Sequence, residues 1–115
     1  MVLFLEIFVS EDVNIDNDIV KNISIVLQQS KFPRIVKYDT EHTAIGTRIK
    51  LGVKISDNVG LGELKNILYR LFDEINDLFK ELDIPIDRFS ISFEGVDTII
   101  NEIVDEWLNE LVYIR

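Results

Sequence analysis

The stretch from Leu61 to Leu82 constrains the fold more than any other part of the chain. Leu61, Leu64, Ile67, Leu68, Leu71, Phe72, Ile75, Leu78, Phe79 and Leu82 recur at the i, i+3, i+4, i+7 spacing of one helical face. At roughly 1.5 Å per residue such a helix is about 33 Å long. Just before it, across the turn Asp57-Asn58-Val59-Gly60, Thr47 to Ser56 alternates with period two. Ile49, Leu51, Val53 and Ile55 fall on one side, and Arg48, Lys50, Gly52 and Lys54 on the other. At about 3.3 Å per residue this strand matches the helix in length. A strand that is dry on one side and a helix that is dry along one stripe predict a helix lying on one face of a sheet.

The remaining elements extend that pair. Val2 to Val9 places Leu3, Leu5, Ile7 and Val9 on one face and Val2, Phe4, Glu6 and Phe8 on the other. Two mostly apolar faces predict a central strand. Asp16-Asn17-Asp18 offers N-caps for a helix carrying Ile19, Val20, Ile23, Val26 and Leu27, which should stop before Phe32-Pro33. Pro33 to Tyr38 reads as a short edge strand, and Asp39 to Gly46 as a polar connection. After the turn Ile84-Pro85-Ile86-Asp87, Arg88 to Phe93 is a strand with Phe89, Ile91 and Phe93 on one face, ended by Gly95. A third helix runs from Val96 to Leu111 or Val112, with Ile99, Ile100, Ile103, Val104, Trp107 and Leu108 in an apolar face wider than one stripe. The order is β-α-β-β-α-β-α. Its first six elements match the ferredoxin-like sandwich. The expectation is one α+β domain over residues 1–115: an antiparallel sheet, helices on one face, the first and third strands central, and a C-terminal helix.

That architecture leaves one sheet face to be explained. It carries Phe4, Glu6 and Phe8 beside Arg48, Lys50, Lys54, Arg88, Ser90 and Ser92. Glu6 is expected to pair with Lys50 or Arg88 across strands. Exposing both Phe4 and Phe8 would make an apolar patch of the kind that marks an interface. Three occupants compete: the third helix folded across the patch, which is the plainest, a second copy of the chain, or a different protein.

Composition excludes several classes of chemistry. The 115 residues hold no Cys and one His. Disulfides, thiolate nucleophiles and Cys/His zinc sites are therefore out. One His would have to serve any Ser-His-Asp arrangement, and no such order stands out. Asp39-Thr40-Glu41-His42-Thr43 is the one cluster mixing His with carboxylates, and plain loop residues are its simpler reading. Asn58 to Glu63 follows a strand and opens a helix but lacks the residues of a phosphate loop. Gly60 there is expected to supply unusual turn angles. Asp73, Glu74, Asp77 and Glu81, with Arg70 and Lys80 between them, read as a solvated helix face with ion pairs along it. No catalytic residue, metal or cofactor is expected, and the chain is not expected to be an enzyme. No apolar run is long enough to span a bilayer, and Met1 to Val9 has no basic flank, so a cytoplasmic protein is expected.

Charge carries the functional argument. The formal net charge is −9, which repels phosphate backbones and favours encounter with a basic protein. It is also segregated. Lys31, Arg34, Lys37, Arg48, Lys50 and Lys54 outnumber Asp39 and Glu41 in one region. Glu94, Asp97, Glu102, Asp105, Glu106 and Glu110 face only Arg115 in another. In size, acidity, absence of Cys and lack of a catalytic motif, the chain resembles the small bacterial immunity proteins that inhibit a cognate nuclease toxin. That resemblance implies tight binding through an acidic surface to a basic toxin domain, occluding its active site or substrate groove. The residues expected to carry it are Glu102, Asp105, Glu106 and Glu110, with Trp107 either joining them or lying in the core. Neither direct nucleic-acid binding nor membrane binding is expected. The alternatives are a homo-oligomeric ferredoxin-like domain that binds a small ligand or regulates another protein, self-associating through Phe4 and Phe8; an enzyme built on His42; and an acidic mimic of nucleic acid.

Overall fold

The computed structural model describes residues 2–13, 15–29, 34–94 and 98–113. They form β1 (Val2–Ser10), α1 (Asn17–Gln28), β2 (Arg34–Thr43), β3 (Gly46–Lys54), α2 (Leu61–Glu81), a single 3-10 turn (Ile86–Arg88), β4 (Phe89–Glu94) and α3 (Thr98–Tyr113). The four strands make one antiparallel sheet in the order β2-β3-β1-β4. The fold is α+β with the ferredoxin-like order, and β1 and β3 are its central strands. Of the residues named above, Met1, Lys31, Phe32, Pro33, Gly95, Val96, Asp97 and Arg115 lie outside the described residues, and with them the helix stop and the strand break.

Register explains the core. Leu5 pairs with Leu51 on one side and Phe93 on the other, and Ile7 with Ile49 and Ile91. All six are buried on one face of the sheet. Ile23 and Leu27 of α1 join them, with Leu68, Leu71, Phe72, Ile75 and Phe79 of α2. Phe79 meets Phe89 edge-on at 4.5 Å, and Phe72 lies 6.1 Å from Phe93 and 5.3 Å from Trp107. Burying a side chain of this size contributes roughly 1.5–3 kcal/mol.

Helix ends follow local chemistry. The Asp16 carboxylate accepts a hydrogen bond from the Ile19 N–H at 2.9 Å and caps α1. Gly60 caps α2 at φ −75° and ψ 166°, an ordinary extended conformation. The expectation of unusual angles at Gly60 is therefore corrected. Gly46 is where glycine is required. Its φ is 154°, and a Cβ there would strike the Val9 carbonyl and come within 2.6 Å of the Phe8 ring. Leu61 is also corrected: placed at the start of the apolar stripe, it is 60% exposed.

Two further expectations change. Asp39 to Gly46 is not a connection, because β2 runs to Thr43 and pairs with β3 along its length. A bulge between Lys37 and Asp39 shifts the register. Before it Val36 lies opposite Gly52 on the open face; after it Asp39 and Glu41 occupy that face, opposite Lys50 and Arg48. Without the shift, the two carboxylates would point at the core side. The third helix, moreover, does not cross the open face. It packs beside α2 on the helical side and against the edge of β4, where the Asn101 side chain accepts the Phe93 N–H at 3.4 Å. All three helices therefore share one face, and α3 blunts an otherwise open strand edge.

Candidate partner-binding surface

The rotation of α3 is set by its buried stripe. Ile100, Ile103, Val104 and Trp107 are buried. Glu102, Asp105 and Glu106 are exposed on the opposite side, and Glu110 is exposed at the edge of the stripe. Trp107 is 2% exposed, and its indole N–H donates to the Asp73 carboxylate at 2.9 Å. It belongs to the core and not to the surface, which removes it from the expected contact residues.

The acidic residues of α3 are not equivalent. Glu106 forms an ion pair with Lys65 of α2 at 2.7 Å. The hydrogen bond from Lys65 to Glu106 raises the Lys65 pKa. Lys65 also lies 5.3 Å from the centre of the Tyr69 ring. Burial, then the negative charge of Glu110, raises the Tyr69 pKa. Glu106 and Glu110 thus sit on the shoulder facing α2. Among the described residues, Glu102 and Asp105 make no ion pair.

A groove of about 370 Å³ lies between α1 and α2, lined by Val26, Leu78, Glu74, Asp77 and Glu81. These carboxylates are expected on a solvated face laced with ion pairs. Among the described residues they form none. The groove depends on how far apart two helices lie on the sheet, which spacing along α2 does not reveal.

The His42 cluster is divided by the sheet. His42 lies opposite Thr47 on the helical side, with Nδ1 hydrogen-bonded to Thr47 Oγ1 at 3.2 Å. Asp39 and Glu41 are on the other side. His42 instead borders a recess of about 540 Å³ with Glu11, Asp12, Ile15, Thr43 and Thr47. The Ser10 hydroxyl, then the Arg88 guanidinium at 2.6 Å, holds the Asp12 carboxyl below its usual range. Among the described residues no three His, Asp or Glu side chains converge to hold a metal ion.

On the open face, charges are paired. Arg48 lies 2.9 Å from Glu6 and 3.4 Å from Glu41, and Lys50 lies 3.4 Å from Glu94. Glu6 therefore pairs with Arg48, not with Lys50 or Arg88. Phe4 remains 38% exposed, while Phe8 is half-buried against Gly46. Among the described residues no helix is long and apolar enough to cross a membrane. The chain matches no family model, no curated protein and no solved structure.

Proposed function

We propose that this protein is an inhibitor of a basic protein partner, a nuclease-type toxin domain, which it binds through the outer face of α3. The observation that carries the reading is the fixed acidic face. Its buried stripe holds Glu102 and Asp105 outward, and no cation of the described residues neutralises them. The acidic groove of α1 and α2 extends the same field across the helical layer. The cations of β3 lie on the opposite side of the sheet, with Arg48 and Lys50 engaged by Glu6 and Glu94. A one-sided field of this kind steers a basic domain to one face and speeds its encounter. Bound there, the domain would lose access to its own anionic substrate.

The test starts from the DNA immediately upstream of the gene: the reading expects a reading frame there that ends in a short basic domain, and that domain is co-expressed with this chain. The reading predicts a stable complex and protection of the host from that domain. A Glu102→Lys/Asp105→Lys double variant should weaken the complex at least about tenfold at low salt, with the loss shrinking as salt rises. Absence of any complex overturns the reading. Unchanged affinity of the double variant at low salt overturns the choice of surface.

A further inference from the structure

We propose that the open face of the sheet is the interface between two copies of this chain, an association independent of the toxin reading. All three helices cover the other face. On the open one, Val2, Phe4 and Val36 are 46%, 38% and 39% exposed and surround Gly52. Gly52, which has no side chain, is buried among its neighbours on β1 and β2 and is the low point of the face.

The charge on this face selects the occupant. Its cations Arg34, Arg48, Lys50 and Lys54 are matched by Glu6, Asp39, Glu41 and Glu94. The face is balanced in a chain of net charge −9. A second equally acidic copy can approach here without net repulsion, whereas contact through α3 would set carboxylate against carboxylate. A basic partner would gain little from a face already neutral.

The rows are also self-complementary. A two-fold axis running along the strands, between β1 and β3, lays β1 of one copy over β3 of the other. The register of β1 and β3 then sets Phe4 over Gly52 of the second copy, Glu6 over its Lys50 and Phe8 over its Arg48. A ring packs over a position without a side chain, opposite charges meet, and a guanidinium faces an aromatic ring. An in-plane axis across the strands through the Glu6–Lys50 row would stack Lys50 on Lys50 and Glu6 on Glu6 and is disfavoured. Strands about 4.8 Å apart and about 30 Å long give a face on the order of 600 Å² per copy. The pair would bury about 1,200 Å², the lower end for a specific interface, which fits a micromolar dimer.

Sedimentation equilibrium over about 1–300 µM tests this, with a reversible dimer expected. Gly52→Val should weaken it at least tenfold without unfolding the chain. A Cβ at Gly52 would meet only Val2 Cγ1 at 3.7 Å and the Val36 carbonyl at 3.8 Å, both ordinary contacts. Lys50→Glu and Glu6→Lys should each weaken the dimer, and an equimolar mixture of the two variants should associate again. That rescue requires the charges to meet between copies. A wild-type chain that stays monomeric throughout overturns the proposal. So does a dimer indifferent to Gly52→Val and Lys50→Glu.

Discussion

On the helical side of the sheet, the inward residues of β1, β3 and β4 are buried without exception, from Leu3 to Phe93. On the other side the same strands present Val2 and Phe4 half in water, between charges that neutralise one another. Both faces come from the same period-two alternation. The difference shows that burial decides one set of positions and that electrostatic pairing decides the other. Excess negative charge has been moved to the helical layer, where α3 displays it.

The largest effects should separate the two sides by stability. Phe72→Ala should cost about 3–5 kcal/mol in urea unfolding, because it removes a ring packed on Phe93 and Trp107. Phe4→Ala, measured on the monomer, should cost about 1 kcal/mol or less, since the ring is only partly buried. Equal losses at the two positions would erase the distinction.

A smaller effect sharpens the contrast within one strand. Gly46→Ala forces a Cβ into the Val9 carbonyl at a positive φ and should cost about 1–3 kcal/mol. Gly52→Ala meets only ordinary contacts, Val2 Cγ1 at 3.7 Å and the Val36 carbonyl at 3.8 Å, and should stabilise the monomer by about 0.5 kcal/mol, through lost freedom in the unfolded chain. Thermal unfolding of both variants checks the pair. A destabilised Gly52→Ala would mean that Val2 and Val36 pack too tightly over Gly52 to admit a methyl group.

Protonation should distinguish the seam of α2 and α3 from the turn that follows β1. The folded pKa values of Lys65 and Tyr69 lie above their ordinary 10.5 and 10.0. Their contribution is complete below those ordinary values and is lost as pH rises through the folded ones. Asp12 lies below its ordinary 3.8, so its contribution is present above that value and lost as pH falls through the lowered one. Melting temperatures over about pH 9–12 should fall more steeply for the wild type than for Lys65→Met, with Trp107 fluorescence as the local reporter. Parallel profiles would remove Lys65 from the account.

The smallest expected change is at the start of α2. Gly60→Asp should stabilise by a few tenths of a kcal/mol, because the backbone there is ordinary and the helix lacks a side-chain cap. A loss would show that Gly60 has a role the backbone angles do not reveal.

Much of this was legible in the sequence. The alternation of β3 and the stripe of α2 name the core residues, and the apolar faces of β1 foretell its central place. Asp16 is readable as a cap because a carboxylate before a helical run has a free N–H to accept. The bulge at Lys37/Asp39 was not legible, since a one-residue shift leaves no mark in composition and inverts the meaning of every later residue. His42 reads as a neighbour of Asp39 and Glu41 because the segment reads as a connection, whereas in a strand their odd separations put His42 on the opposite face. The position of α3 was not legible either. Its wide apolar face fits the open sheet as well as the flank of α2, and the choice is made by Trp107 meeting Phe72 and Asp73. The acidic residues of the candidate surface were legible from their places opposite that apolar stripe. The neutralisation of Glu106 by Lys65 was not, because the two are joined only by the packing of two helices.

The most direct test of the central claim is the association rate of the chain with the basic domain that the account expects to be encoded upstream, compared with that of Glu102→Lys/Asp105→Lys at low and high salt. The account predicts a rate at least about tenfold slower for the variant at low salt, the two converging at high salt. Equal rates at low salt, with the variant still folded, would contradict it.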